Sequence, residues 1–339
     1  MVLARKIILI KNFQGQPQST DFKIVEEELP ILKNGEVLVE AEFFSVDPYM
    51  MSSAINESGI GEVFHANQVA KIIESKDPAF PVGQRVKGYY GWRTHTIINP
   101  SKWDHSGFLN EVPKVLPSLG DLPSSLYLGV LGMPGETAYF GFLEVCQPKK
   151  GEILVVSGAG GAIGSHVAQI GKIIGLKVIG ITGTVEKCQW LKNDLKIDHV
   201  INYKTEDVSV ALKKFAPDGV DCYFDNIGGP ISDTVINHMK EFGRISICGS
   251  ISSYSDDAQL QRPKNFYQML FLIKQLKMEG FMVTRWKHRY GESFKQNFTW
   301  IQEKKLKYRE TIYEGFENTV NALLGLMRRK NIGKAIVKL

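Results

Sequence analysis

The 339-residue chain has little cysteine, no long hydrophobic run and almost no excess of charge. Its four cysteines, Cys146, Cys188, Cys222 and Cys248, form no CxxC pair and have no disulfide-like spacing. That excludes a disulfide scaffold and points to reduced thiols in a cytoplasmic protein. The longest apolar run, Met269–Ile273, falls far short of the ~18–20 residues that cross a bilayer, so no membrane insertion is expected. In the opening MVLARKIILI the apolar stretch Ile7–Ile10 is too short for a signal peptide and reads as a first strand. Net charge is +5, from 41 basic against 36 acidic residues. A nucleic-acid binder typically confines its basic charge to a dense stripe, so no nucleic-acid partner is expected. What remains is an ordinary globular composition, 43% hydrophobic and 23% charged, long enough for two domains with a core each.

The two halves differ in texture. Up to about Pro123 short strand-like runs (Val37–Phe44, Val69–Ile73, Arg85–Tyr90, Thr94–Ile98) are separated by Gly, Pro and Asn turns. From Gly151 apolar strands alternate with helices, the signature of a parallel α/β sheet. Ile153–Val156 reads as a strand. Ile163, Val167, Ile170 and Ile174 then share one helix face. Lys177–Thr182, His199–Asn202, Val220–Asp225, Arg244–Cys248 and Lys277–Val283 read as further strands. Helices are expected at Val185–Asp194, Asp207–Phe215 and Ser232–Lys240. Together these predict one doubly wound sheet. After Arg285 the chain turns helical and polar, and it ends in a strand-like Ile336–Leu339. The β-rich part is the natural host for that strand, which makes the α/β part an insertion.

The strongest motif is Ser157-Gly158-Ala159-Gly160-Gly161-Ala162-Ile163-Gly164, between a strand and a helix. Glycines at 158, 161 and 164 supply a tight turn, bare backbone for a pyrophosphate and a close helix–strand contact. Unpaired N–H groups of the helix start then face the phosphates. NAD enzymes place an acidic residue at the end of the second strand. This chain has Ile181-Thr182-Gly183-Thr184 there, and Glu186 sits at a helix start where the dipole accounts for it. Lys187 can reach a 2′-phosphate as a point charge, so NADP is favoured over NAD. A catalytic zinc needs three Cys, His or acidic ligands. Ser45-Val46-Asp47-Pro48-Tyr49-Met50 offers no Cys or His, His65-Ala66-Asn67 lacks the acid, and no cysteine cluster exists, so no metal is expected.

At this point the residues resemble a known family. Val46-Asp47-Pro48-Tyr49-Met50, Gly132-Met133-Pro134-Gly135-Glu136-Thr137-Ala138-Tyr139-Phe140-Gly141, the glycine loop and Asn202-Tyr203-Lys204 are similar to zinc-independent medium-chain reductases of the prostaglandin reductase type. Tyr223-Phe224-Asp225-Asn226-Ile227-Gly228-Gly229, Gly243–Gly249, Ile251–Tyr254, Glu314–Asn318 and Asn331-Ile332-Gly333-Lys334 continue the match in order. The group includes leukotriene B4 12-hydroxydehydrogenase and plant alkenal double-bond reductases. The resemblance implies a Rossmann doubly wound parallel sheet, residues 127–298, inserted into a GroES-like β-rich domain, residues 1–126 and 299–339. It implies a homodimer that uses NADPH to reduce α,β-unsaturated ketones and aldehydes, 15-oxo-prostaglandin-like lipids and 2-alkenals among them. Carried over by position, NADP(H) meets Gly161, Ala162, Ile163, Gly164, Lys187, Tyr203, Asn226, Cys248, Gly249, Ser250, Ile251, Ser252, Ser253, Tyr254, Phe281, Met282, Val283 and Asn331. Met133 and Thr137 stand at the junction of cofactor and substrate. Two departures bear on substrate choice: Met51 where the family usually has Arg, and Ala66-Asn67-Gln68 where many members read Met-Gly-Gln.

For conjugate reduction a hydrogen-bond donor must meet the carbonyl oxygen as charge develops on it. Tyr254, in the loop after the strand ending at Cys248, is the first candidate, and Tyr49 is the second, as a donor or a pocket wall. Two other readings stay open: a quinone reductase of the same superfamily, and a catalytically idle NADPH-binding protein.

Overall fold

The structure, a computed structural model, describes residues 2–52, 58–103, 111–254 and 267–339. By their contacts the residues fall into two compact units, Met1–Gly129 with Glu310–Leu339, and Val130–Arg309. These divisions, at 129/130 and 309/310, fall three and eleven residues after the 126/127 and 298/299 that the resemblance implies.

The first unit opens with β1 (Val2–Leu9) and β2 (Phe22–Leu29), an antiparallel pair. Next come β3 (Val37–Val46), β4 (Gln68–Ser75), β5 (Arg85–Gly88), β6 (His95–Ile98) and β7 (Lys114–Val115). Alternation along β3 and β4 turns Val37, Val39, Ala70 and Ile72 inward to pack with Val86, Tyr90 and Ile98. A second aromatic core joins Phe64 to Trp92 at 4.6 Å and to Phe22 at 5.2 Å.

The second unit begins with a helix that the sequence reading missed, α1 (Met133–Cys146). Ala138, Phe140, Phe142, Val145 and Cys146 are all buried, so the helix is covered on several faces and lacks the one-sided period that marks a surface helix. It leads into β8 (Ile153–Ser157), α2 (Ala162–Ile174), β9 (Lys177–Thr182), α3 (Val185–Gln189), β10 (His199–Asn202), α4 (Val208–Phe215) and β11 (Val220–Asp225). There follow α5 (Gly229–Asn237), β12 (Met239–Ile247), α6 (Tyr267–Lys274), β13 (Lys277–Gly280) and α7 (Tyr290–Gln302). Six strands make one sheet in the order β10-β9-β8-β11-β12-β13, every neighbouring pair parallel. This is the doubly wound dinucleotide order, with its topological switch between β8 and β11.

Three expected elements of this unit need correction. The helix drawn over Ser232–Lys240 starts at Gly229 and stops at Asn237. The strand drawn at Arg244–Cys248 begins at Met239, and a left-handed Phe242 (φ +62°) interrupts its pattern. The last strand ends at Gly280 because Phe281 turns its ring into an aromatic cluster with Trp286 (5.5 Å) and Phe224 (6.3 Å). The chain then re-enters the first unit through β14 (Glu310–Glu314), α8 (Thr319–Met327) and β15 (Lys334–Lys338). β15 pairs antiparallel with β3, so the C-terminal strand does join the β-rich sheet. Among the described residues no helix is long and apolar enough to cross a membrane.

One buried base ties α2 to α7. His166 Nε2 lies 3.2 Å from Asn297 Oδ1, and the Asn297 amide donates to Val130 O at 3.2 Å. Burial lowers the His166 pKa to about 4. The unfolded chain takes up that proton near pH 6.5, so it binds more protons than the native state as pH falls from 6.5 to 4. The stabilisation is whole above pH 6.5 and is lost on the way down. Urea titrations between pH 7 and 4 should show the wild type losing on the order of 3 kcal/mol more than His166→Gln over that window.

Candidate functional site

The carboxyl end of the parallel sheet is built from residues whose side chains are small or locked. After β8 the chain turns at Gly158 (φ +63°), and Gly161 starts α2 without a side-chain cap. A Cβ on Gly164 would stand 2.4 Å from the Gly158 carbonyl oxygen, so the helix meets the turn more closely than any other residue permits. An uncapped helix start beside bare backbone is an anion site. A Cβ on Gly160 would strike the Lys187 stem at 2.8 Å, so that side chain lies across the loop. Lys187 is held at its root, where its N–H donates to Thr184 Oγ1 at 3.2 Å and opens α3. The Tyr203 ring closes on Gly183, where a Cβ would meet it at 2.5 Å. Glu186 is exposed and faces Arg309 at 3.6 Å. The residues at the end of β9 therefore fit a 2′-phosphorylated ribose: a small neutral strand end, a lysine and a tyrosine.

The other half of the switch hangs on Asp225, to which the sequence alone assigns no role. Its Oδ1 accepts from Ser157 Oγ (2.9 Å), Tyr223 Oη (2.8 Å) and the Ile227 and Gly228 N–H groups (3.0 Å each), while Oδ2 accepts from Ser232 Oγ (2.6 Å). Asn226 donates to Ser157 O at 2.7 Å, which joins the two loops of the switch. Ser252 N donates to Ile227 O at 3.0 Å, and a Cβ on Gly228 would touch Ser250 Oγ at 2.5 Å. The segment Cys248–Tyr254 thus packs on Asn226–Gly228. Tyr254 brings its hydroxyl over Gly249, within 3.1 Å of where a Cβ there would be. Burial raises the Tyr254 pKa, so the phenol stays a donor at high pH. Burial pushes the Cys248 thiol up to about 12, which makes it unreactive.

The remaining expected residues are also located. Thr137, one turn into α1, turns its hydroxyl back to Met133 O at 2.6 Å. Phe281 packs against Gly141, Met282 is exposed and Val283 is buried. In the first unit the Asn331 amide is engaged by Gly333 O at 2.8 Å. Tyr49 lies in the turn Pro48–Met51. Its hydroxyl is covered and finds no well-formed hydrogen bond, with the Asn67 amide, Tyr89 and Asp47 as its polar neighbours. Burial and the Asp47 charge hold this phenol well above its ordinary pKa.

Residues 5–105 match the model of an N-terminal domain of oxidoreductases, and residues 162–303 match that of zinc-binding dehydrogenases. Prostaglandin reductase 1 of Oryctolagus cuniculus is 45% identical, covering 99% of this chain and 93% of its own. The chain belongs to the prostaglandin reductase family. The NADP(+)-dependent 2-alkenal reductase of Nicotiana tabacum is 38% identical over 99% of this chain and 97% of its own. CurA of Vibrio vulnificus, solved with NADPH, superimposes with a TM-score of 0.88 at 36% identity, covering 98% of each chain. Membership makes the protein an NADP-dependent oxidoreductase with the Rossmann and GroES-like units of the medium-chain dehydrogenases. Although one matched model is named for zinc, no three His, Cys, Asp or Glu side chains among the described residues are grouped to hold a metal ion.

Lys187→Ala should raise the Kd for NADPH by ~10-fold or more and leave that for NADH within about two-fold, since a charge-assisted contact to a phosphate is lost. Fluorescence titration with each coenzyme measures it.

Proposed function

We propose that the protein reduces the carbon–carbon double bond of α,β-unsaturated ketones and aldehydes, 2-alkenals and 15-oxo lipids of the prostaglandin type included. The observation that carries this reading is the covered Tyr254 phenol over Gly249, beside a cradle suited to a phosphorylated dinucleotide. Bound NADPH supplies a hydride to the β-carbon of the enone. The chain's own part is binding and charge. Ala162, Ile163 and Gly164 offer backbone N–H groups to the pyrophosphate, Gly161 gives it bare backbone while its own N–H closes the turn to Gly158 O at 3.0 Å, and Lys187 and Tyr203 take the 2′-phosphate. Asn226, the 248–254 segment, Phe281–Val283, Met133, Thr137 and Asn331 complete the cofactor contacts. Tyr254 donates to the carbonyl oxygen as negative charge gathers there, and Tyr49 is read as a second donor to substrate. Water protonates the resulting carbanion carbon.

No metal enters this reading, because positions 45–50 carry no Cys or His and the cysteines that the fold brings together, Cys146 and Cys222, sit beside the Arg244–Glu152 ion pair rather than at the carboxyl end of the sheet. The reading places the protein in the cytoplasm as a homodimer. In support of the dimer, β13 pairs only with β12 among the described residues, and Met269, Leu272 and Ile273 of the adjacent α6 are exposed.

An NADPH-consumption screen over 2-alkenals, 15-oxo lipids and 1,4-quinones tests the whole. Turnover of the first two is expected, and turnover of quinones alone would overturn the assignment. Tyr254→Phe should lower kcat for a 2-alkenal by ~10²–10³ with NADPH affinity nearly intact. Because burial raises the phenol's pKa, any alkaline fall in wild-type kcat from this group should come at higher pH than an exposed tyrosine would give.

A further inference from the structure

Asp47 and Lys334 stand far apart in the chain, and neither side chain has a task in the reaction just described. In the fold they meet. Lys334, the first residue of β15, is 4% exposed, and Asp47, just after β3, is 5% exposed. The Lys334 Nζ lies 3.0 Å from Asp47 Oδ1 and donates to Val46 O at 2.7 Å and to Ala335 O at 3.0 Å. An ammonium has three protons, and here all three are directed. The second carboxylate oxygen of Asp47 accepts from Ser45 Oγ. Asn331 fixes the left-handed Gly333 (φ +64°) that turns the chain into Lys334.

A burial this complete is costly. Two charges leave water, and a well-packed apolar pair of similar volume is often as stable or more so. The backbone ladder between Ala335 and Val46 already joins β15 to β3 without them. What the pair adds is direction. Asp47 is the residue before the single turn Pro48–Met51, with its carbonyl accepting from Met50 N at 3.2 Å. Proline locks the next φ. Anchoring Asp47 therefore sets where the Tyr49 phenol points, two residues on. The Asp47 charge also neighbours that hydroxyl, and Lys334 offsets it.

We propose that Asp47 and Lys334 are positioning residues: their buried ion pair orients the Pro48–Met51 turn so that the Tyr49 hydroxyl is presented to substrate. This rests on reading Tyr49 as a substrate donor. The test is 19F NMR of 3-fluorotyrosine-labelled protein, with the Tyr49 resonance assigned by its loss in Tyr49→Phe. Lys334→Met should shift or broaden that resonance and leave those of distant tyrosines in place. Asp47→Asn, nearly isosteric, should do the same and serves if the lysine variant fails to fold. Measured well below each variant's Tm, kcat/KM for a 2-alkenal should fall by ~10-fold or more with NADPH affinity within about two-fold, and Tyr49→Phe should add little to that loss, since coupled residues are not additive. An unmoved Tyr49 resonance in a folded variant, or fully additive losses, would overturn the proposal. If the resonance moves but Tyr49→Phe alone leaves enone turnover unchanged, the positioning stands and the donor role of Tyr49 is what fails.

Discussion

The carboxyl end of the nucleotide unit depends on one buried carboxylate. The Asp225 side chain takes five hydrogen bonds, from Ser157 at the end of β8, Tyr223 in its own strand, two N–H groups of the loop that follows and Ser232 in the next helix. A carboxylate out of water is tolerable only when its lone pairs are filled, and filling them fixes each donor in place. The Ile227 and Gly228 N–H groups cannot turn away, so Gly228 stays left-handed (φ +71°) and close to Ser250. Ser157 is held by the same oxygen, so the end of β8 and the glycine turn after it inherit that rigidity. The bare backbone of the loop is useful only because its neighbours cannot move into it.

The fold was legible wherever a periodic pattern had one exposed side. The face made by Val167 and Ile170 gave α2, and short apolar runs between turns gave the parallel strands. α1 was hidden because burial on several sides erases the period that reveals a helix. The early start of β12 was hidden because Phe242 and Gly243 read as a turn before a strand, whereas the strand begins ahead of them. Of the site, the glycine loop and Lys187 could be read from local spacing. Tyr203, Asn226 and residues 248–253 came only through resemblance, whereas Tyr254 was also read from its loop after a strand end. The Asp225 hub and the Asp47–Lys334 pair escaped altogether, because their meaning lies in which donors converge. Val46 and Lys334 are 288 positions apart, and no local window spans that distance.

Burial shapes the titration of Tyr49, Tyr254 and Cys248 in one direction. Burial holds both candidate tyrosines protonated and the Cys248 thiol unreactive. Cys146 at the end of α1 and Cys222 in β11 are buried beside each other away from Cys248: the neighbouring Cys146 and burial together hold Cys222 well above its ordinary value. For a reaction that develops negative charge on an oxygen, neutral donors fixed in a poorly solvated site act more strongly than the same donors in water and need not reorganise as charge appears.

Two kinds of buried charge therefore serve different ends. Asp225 is surrounded by neutral donors and organises backbone, so its loss leaves several N–H and O–H groups without an acceptor at once. Asp47 is matched by a full opposite charge, and the pair concentrates its effect on one four-residue turn. A neutral network distributes rigidity across a surface that must fit a long cofactor. A single ion pair sets the direction of one side chain. The first suits the recognition of a dinucleotide along its length, and the second suits the aim of one hydroxyl at one atom of a small substrate.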